Sequence, residues 1–145
     1  MKKAIIFDDR AMVLDQMGQK LARKGYSVSE CSTCAEVIEN IASATFDWYI
    51  LDLNTTTCGL SNESAQKTCC GLRTGWVLLT DHILKQDEKN IDRVIFFSDY
   101  EKDLEAYLKS KEAKKAEKEW FEKLKGRKAI ISKSDGYGAL LSLIR

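Results

Sequence analysis

Residues 48–53 read WYILDL, the most apolar segment of the chain, and its apolar run ends on the carboxylate of Asp52. A short, continuous apolar run is typical of a strand covered on both faces of a parallel sheet. Three further segments have the same character: residues 4–7 (AIIF), 94–97 (VIFF) and 129–131 (AII). Residues 26–31 (YSVSEC) alternate weakly and predict a half-exposed edge strand.

Helical patterns separate these strands, so that strand and helix alternate along the whole chain. The predicted helices cover residues 11–24, 33–41, 76–84, 101–125 and 136–144. Thr33 and Glu36 have the spacing of a capping box at the start of the second helix. Right-handed crossovers between successive strands then predict an α/β parallel sheet with helices on both faces.

Two segments are longer than such an alternation needs. Residues 55–74 are polar, nearly uncharged and rich in Thr, Ser and Cys, which predicts a long loop. Residues 101–125 carry Lys and Glu throughout without Gly or Pro, which predicts one elongated helix of about 37 Å. Its bulky residues Tyr107, Trp120 and Phe121 are candidate anchors for a docking or dimerisation partner. The alternative is a solvated helix with salt bridges along its surface.

Length and charge limit the classes of protein to consider. A chain of 145 residues has the size of one domain, so residues 1–145 are expected to form a single domain with no output domain attached. Lys and Arg number 23 against 22 Asp and Glu, a balance that predicts neither nucleic-acid nor membrane-surface binding. No apolar run is long enough for a membrane span or a signal peptide, so a cytoplasmic location is expected. The five cysteines are then expected to be free thiols, with a zinc site the less favoured alternative.

Polar side chains follow each predicted central strand, where ligands bind in an open parallel sheet. They are Asp8, Asp9, Asp52, Asn54, Ser98 and Lys133. Clustered carboxylates repel one another, and a hard divalent cation such as Mg²⁺ relieves that repulsion. One carboxylate could then attack phosphorus, while Ser98 and Lys133 bind the phosphoryl oxygens. The alternative is that these residues only form turns and helix caps.

The segments IIFDD (5–9), YILDLN (49–54), VIFFS (94–98) and IISK (130–133) together resemble the receiver domain of two-component response regulators, of the single-domain chemotaxis type. The resemblance covers essentially the whole chain. It implies a flavodoxin-like three-layer sandwich with a five-stranded parallel sheet of order 2-1-3-4-5. The two long segments are departures from this pattern.

The resemblance also implies roles for the strand-end residues. Asp52 would be the phosphoacceptor. Asp52, Asp8, Asp9 and the backbone carbonyl of Asn54 would also be the ligands of Mg²⁺. Ser98 would be the switch hydroxyl and Lys133 the lysine that pairs with the phosphoryl group. The phosphoryl donor would be a histidine kinase or a histidine phosphotransfer protein. Output would pass to a protein partner through the face of the fourth and fifth predicted helices (helix 4 to helix 5), with a homodimer also conceivable.

Three positions depart from the family pattern. Ser134 stands where proline commonly follows the lysine, so a trans peptide bond is expected there. Ile130 stands where an aromatic residue often takes part in activation. Asp99 follows the switch hydroxyl, where a small residue is usual, and its charge would oppose an incoming phosphoryl donor.

These departures leave two alternatives open. One is a degenerate receiver that binds partners without being phosphorylated. The other is a phosphatase of the haloacid dehalogenase type, which needs Asp-x-Asp after the first strand. This chain has Asp8-Asp9-Arg10 instead. If the chain is a phosphorylated receiver, its enzyme activity would be limited to self-catalysed phosphotransfer and dephosphorylation.

Overall fold

A computed structural model describes residues 1–144 and contains a five-stranded sheet in the order β2-β1-β3-β4-β5, parallel throughout. The predicted fold class and strand order are therefore confirmed. The strands are β1 (Lys2–Phe7), β2 (Tyr26–Cys31), β3 (Trp48–Leu51), β4 (Val94–Phe97) and β5 (Ile130–Ile131). Each lies within two residues of the segment predicted from apolar runs.

Helices connect all consecutive strands and follow the last one. They are α1 (Ala11–Arg23), α2 (Cys34–Ser43), α3 (Asn62–Gln66), α4 (74–86), α5 (Glu101–Lys109), α6 (Lys115–Gly126) and α7 (Gly136–Leu143). Helix α4 contains a π-helical turn at Leu79–Ile83. A 3₁₀ segment, Glu88–Arg93, precedes β4. None of the helices within residues 1–144 is both long and apolar enough to cross a membrane.

The central strands are buried on both faces. All four residues of β4 are at most 3% exposed, although successive side chains point to opposite sides of the sheet. Strand β2 is buried at its two ends and exposed or half-buried between them, and it lies at an edge of the sheet, as predicted. This burial explains why the central strands lack polar alternation in the sequence.

The segment predicted as one helix over residues 101–125 is two helices, and this part of the prediction is wrong. Helix α5 ends before Ser110, whose backbone is extended, and α6 begins after Lys114. The hydroxyl of Tyr107 lies 3.0 Å from the carboxylate of Glu117. In a straight helix these residues would be about 15 Å apart along the axis, so their contact requires the break.

Phe121 is not available as a docking anchor, which corrects a second part of that prediction. Its side chain is 5% exposed, and its ring packs edge-on against Trp76 at a centroid distance of 6.4 Å. Tyr107 and Trp120 are half-buried. The aromatic residues of this region therefore serve first to pack α5 and α6 against α4.

The loop predicted at residues 55–74 contains the short helix α3, capped by the Ser61 hydroxyl. The two ends of the 55–74 segment lie close to each other. The amide of Thr55 donates to the carbonyl of Gly71 at 3.2 Å, and the hydroxyl of Thr74 donates to the carbonyl of Thr55 at 2.9 Å. The segment thus leaves the sheet after β3 and returns to almost the same point.

Gly75 sits where α4 begins against the end of β3. A Cβ atom at this position would lie 1.9 Å from the carbonyl oxygen of Asp52, so only glycine fits. The amide of Gly75 donates to the carbonyl of Leu53 at 3.1 Å. This close approach fixes the start of α4 directly beside the backbone of Asp52.

Candidate functional site

The hydrogen-bond ladder of the sheet places three of the predicted residues at its carboxyl edge. The amide of Asp8 donates to Cys31, that of Asp52 to Phe7, and that of Ser98 to Ile131. Asp8, Asp52 and Ser98 are 2%, 5% and 1% exposed. Each therefore continues a strand by one residue and carries a polar side chain at a buried position.

Lys133 reaches this edge from the segment after β5. Its ammonium nitrogen lies 2.6 Å from Oδ2 of Asp8 and 2.9 Å from Oδ2 of Asp52. Its peptide bond to Ser134 is trans, as expected, and no peptide bond within the described residues is cis. One cation thus bridges two buried carboxylates that belong to different strands.

The electrostatics of the cluster are unbalanced toward negative charge. Burial, followed by the charge of Asp8, raises the pKa of Asp52. Lys133 and the nearby Ser98 hydroxyl act in the opposite direction without cancelling the rise. Burial alone would lower the pKa of Lys133, but its contacts with Asp8 and Asp52 raise it. The carboxylates accordingly need more positive charge than Lys133 supplies.

Asp8, Asp9 and Asp52 each offer a carboxylate oxygen within 4.8 Å of the others, an arrangement able to hold a metal ion. Oδ1 of Asp52 is buried and accepts no well-formed hydrogen bond from residues 1–144. The amide of Arg10 donates to Oδ1 of Asp8 at 2.9 Å and orients that carboxylate. A hard cation with oxygen ligands such as Mg²⁺ fits this donor set, because it relieves the repulsion and uses the free oxygen lone pairs.

A cavity of about 200 Å³ opens above the carboxylates. Asp9, Asp52, Asn54 and Lys133 line it together with three further polar residues, Arg10, Asp99 and Tyr100. The six predicted site residues therefore come together at one edge of the sheet, with the Ser98 hydroxyl near the Asp52 carboxylate. Arg10 was missed, since a single basic residue after the acidic pair gives no distinctive sequence signal.

Asp99 connects the ends of β4 and β5. Its Oδ1 accepts hydrogen bonds from the Ser132 hydroxyl at 2.7 Å and from the Ser134 amide at 3.3 Å. The Ser132 hydrogen bond is the main reason that the pKa of Asp99 is lowered. The carboxylate is therefore ionised and held at the rim of the cavity, where it ties the segment around Lys133 to the segment around Ser98.

The cysteines form no comparable cluster. Cys31 and Cys34 are buried, whereas Cys58, Cys69 and Cys70 are exposed, and all five are free thiols. Within the part of the chain that the structure describes, the acidic triad is the sole group suited to a metal ion. The free-thiol expectation agrees with the structure, and the zinc alternative finds no support in it.

Comparison with known proteins gives a match by structure alone. No protein-family model matches the sequence, and no curated protein matches it. A CheY-like response regulator receiver domain protein from Methanospirillum hungatei has 20% identity and a TM-score of 0.62, over 99% of this chain and 90% of that one. TrrA from Thermotoga maritima, solved in complex with Mg²⁺-BeF, has 16% identity and a TM-score of 0.57, over 98% and 95%.

The HemR receiver domain from Leptospira biflexa, in its non-phosphorylated form, has 18% identity and a TM-score of 0.56, over 99% of this chain and 94% of that one. At these identities the likeness concerns the fold. The resemblance inferred from the strand-end motifs is confirmed at that level. The chain has the fold of response regulator receiver domains over nearly its whole length.

Proposed function

We propose that this chain is a receiver domain of a two-component phosphorelay, spanning residues 1–145, which accepts a phosphoryl group on Asp52. The observation that carries the proposal is the bridge from the Lys133 ammonium to the carboxylates of Asp8 and Asp52. A solely structural ion pair needs one carboxylate, whereas this site concentrates three beside an open cavity. Perturbed clusters of this kind are typical of functional sites.

The reaction transfers a phosphoryl group from a phosphohistidine of a kinase or a phosphotransfer protein. A carboxylate oxygen of Asp52 forms a bond to phosphorus while the bond from phosphorus to the imidazole nitrogen breaks. The electron pair of the broken bond stays on the imidazole, which takes a proton from solvent. Lys133 and the Ser98 hydroxyl bind the phosphoryl oxygens and orient the group.

Asp8, Asp9, Asp52 and the backbone carbonyl of Asn54 are the residues that would hold Mg²⁺. Stabilisation of negative charge on the transferring phosphoryl oxygens is the chemistry that this ion supplies when bound. Asp8 is oriented for this role by the Arg10 amide, and Asp9 is exposed to the cavity side. Lys133 then remains available to pair with Asp52 and its phosphoryl group.

Output follows from the charge that the phosphoryl group adds. New acceptor oxygens at Asp52 draw Ser98 and Lys133 toward them and reposition the segments that carry these residues. Those segments lead into α5 and α7, so the face formed by α5, α6 and α7 is the proposed contact surface. Its partner would be a downstream protein or a second copy of the chain.

A degenerate receiver, which binds partners without phosphorylation, is the second candidate. It is favoured by Asp99, whose ionised carboxylate lies at the rim of the cavity. Like charge at this position opposes an incoming phosphoryl group. The two candidates differ in whether Asp52 binds a phosphoryl analogue at all.

The deciding experiment is titration with beryllofluoride, an analogue of the aspartyl phosphate, in the presence and absence of Mg²⁺. On addition of beryllofluoride, the amide NMR shifts around Asp52, Ser98 and Lys133 should change saturably, and only when Mg²⁺ is present. Asp52→Asn should abolish the response, and Asp15→Asn on the exposed surface of α1 should retain it. No response from the folded wild-type chain would reject phosphorylation and favour the degenerate receiver. Hydrolysis of a phosphomonoester that depends on Asp8 but not on Asp52 would instead indicate a phosphatase.

A further inference from the structure

A second cavity, of about 400 Å³, lies between α4, the 55–74 segment and the α5–α6 pair. It shares no lining residue with the cavity above Asp52. Its volume lies within the range of about 300–1,000 Å³ that is usual for small-molecule sites. Its walls come from α4 and from the two segments that depart from the receiver pattern.

Three aromatic side chains, Trp76, Tyr107 and Trp120, line this cavity. A buried carboxylate, Glu117, holds two of them in place. It accepts hydrogen bonds from Trp76 Nε1 at 3.0 Å, from the Tyr107 hydroxyl at 3.0 Å and from the Lys114 amide at 2.8 Å. Because Glu117 is 8% exposed and fully bonded, the aromatic lining is preorganised before any ligand binds.

Among the described residues, Arg73 places a positive charge without an ion pair at the same cavity. Its guanidinium lies 4.2 Å from the centre of the Tyr107 ring and donates to the carbonyl of Lys67 at 3.2 Å. Its Nε is buried without a hydrogen-bond partner. No carboxylate of residues 1–144 lies within ion-pair distance of it. A guanidinium in this state is suited to bind a carboxylate, sulfonate or phosphate group.

The rim of the cavity adds to this positive character. Lys67 is paired with Asp81 at 3.3 Å, but Lys85 and Lys114 have no ion pair in the described chain. Glu112 is the one acid of the lining that is neither paired nor hydrogen-bonded within residues 1–144. Among the lining residues without an ion pair in residues 1–144, three cations, Arg73, Lys85 and Lys114, therefore outnumber two carboxylates, Glu112 and Glu117.

We propose that this cavity binds a small organic anion that carries a flat apolar group. The flat group lies against the half-buried side chains of Tyr107 and Trp120, and the anionic group faces Arg73. Aromatic contact and a charge-assisted hydrogen bond together define the ligand class. The proposal does not depend on phosphorylation of Asp52.

The probe for this site is anilinonaphthalene sulfonate, an aromatic anion whose emission increases in apolar surroundings. The intact chain should bind it saturably at one site, with energy transfer from tryptophan. Phenylnaphthylamine has the same rings without the sulfonate and should bind roughly tenfold more weakly, the effect of losing one charge-assisted hydrogen bond. Arg73→Gln should weaken sulfonate binding by a similar factor and leave phenylnaphthylamine binding unchanged. Arg23→Gln, on the exposed surface of α1, is the matched control and should change neither.

Amide and indole NMR shifts of the wild-type chain locate the probe without any substitution. The indole signals of Trp76 and Trp120 should move. The signal of Trp48, whose Nε1 donates to the Tyr26 hydroxyl away from the cavity, should not. Absence of saturable binding, equal affinity for the two probes, or shifts confined to other surfaces would each overturn the proposal. These results remain interpretable even if Arg73→Gln fails to fold.

Discussion

The ammonium nitrogen of Lys133 lies 2.9 Å from Oδ2 of Asp52, although the two residues are 81 positions apart in the chain. The same nitrogen lies 2.6 Å from Asp8. Lys133 therefore compensates two buried charges on neighbouring strands and joins β1, β3 and the segment after β5. The stability of the sheet edge and the chemistry proposed for it depend on the same contacts.

Replacing Lys133 by methionine should destabilise the fold by about 3 kcal/mol at pH 7, because it leaves two buried carboxylates without a cation. Loss of the ammonium raises the pKa of Asp52 further, so the native state holds a proton there more tightly than the unfolded chain. The destabilisation should therefore grow as the pH rises above the ordinary carboxyl range, and shrink as the pH falls. Urea unfolding at pH 4 and pH 7 measures both effects.

Lys125→Met is the control for this substitution. Its ammonium lies 3.6 Å from Glu105, and its side chain is 45% exposed, so the pair is solvent-screened. Its loss should cost less than about 1 kcal/mol at either pH. Similar losses from both substitutions would contradict the structural role assigned to Lys133.

Asp52→Asn should stabilise the protein by about 1 kcal/mol at pH 7, as removal of an electrostatically unfavourable functional group often does. The pKa of Asp52 is raised in the native state, chiefly by burial and by Asp8. Ionised Asp52 therefore costs stability, and this cost develops as the pH rises from the ordinary carboxyl pKa through the raised one. Thermal unfolding of both proteins between pH 4 and pH 8 should show a gain that disappears at the acid end. A gain independent of pH would indicate another cause.

Gly75→Ala should destabilise the chain by about 2 kcal/mol or more, because the new methyl group would collide with the Asp52 carbonyl. It should also move the amide NMR signals of Asp52 and Leu53, since either α4 or the end of β3 must shift. Gly126→Ala at the end of α6 meets no atom within 4 Å and is the matched control. There the same change should be neutral or stabilise by about 0.5 kcal/mol. Equal effects at the two glycines would exclude the close contact.

The five cysteines should divide into two reactivity classes. Burial, with lesser electrostatic contributions, raises the pKa of Cys31 and of Cys34 to about 12, so almost no thiolate is present at pH 8. Cys58, Cys69 and Cys70 are exposed. Intact-mass measurement after iodoacetamide treatment at pH 8 should find three additions to the native protein and five after denaturation. Rapid modification of a fourth site in the native protein would show local opening where β2 leads into α2.

Much of the fold could be predicted because its sheet is buried on both faces. The run of Val94–Phe97 contains no polar residue, and β4 has those same limits. The strand-end rule likewise identified Asp8, Asp52, Ser98 and Lys133, because parallel strands bring their carboxyl ends to one edge. Their common location follows from the parallel sheet, which brings the strand ends to one edge.

The break between α5 and α6 could not be predicted from local pattern. Residues 110–114 contain neither Gly nor Pro, and their composition favours continuation of the helix. The break brings Glu117 of α6 to Tyr107 of α5, a contact that one straight helix would not allow. In a segment where Lys and Glu alternate, nothing distinguishes this one glutamate from its exposed neighbours. Arg73 was missed for the same reason, since its importance arises from its position against the Tyr107 ring.

The hydrogen bonds that join Thr55 to Gly71 and Thr74 determine where residues can be inserted into this protein. The residues between them form a loop whose two ends are close together, so the number of residues in the loop is not fixed by the distance between β3 and α4. Doubling such a loop costs only about 0.6 kcal/mol of closure entropy. The part of this loop farthest from the sheet is therefore a suitable insertion site. A peptide tag, a fluorescent reporter or a whole folded domain can be inserted there without disturbing the sheet.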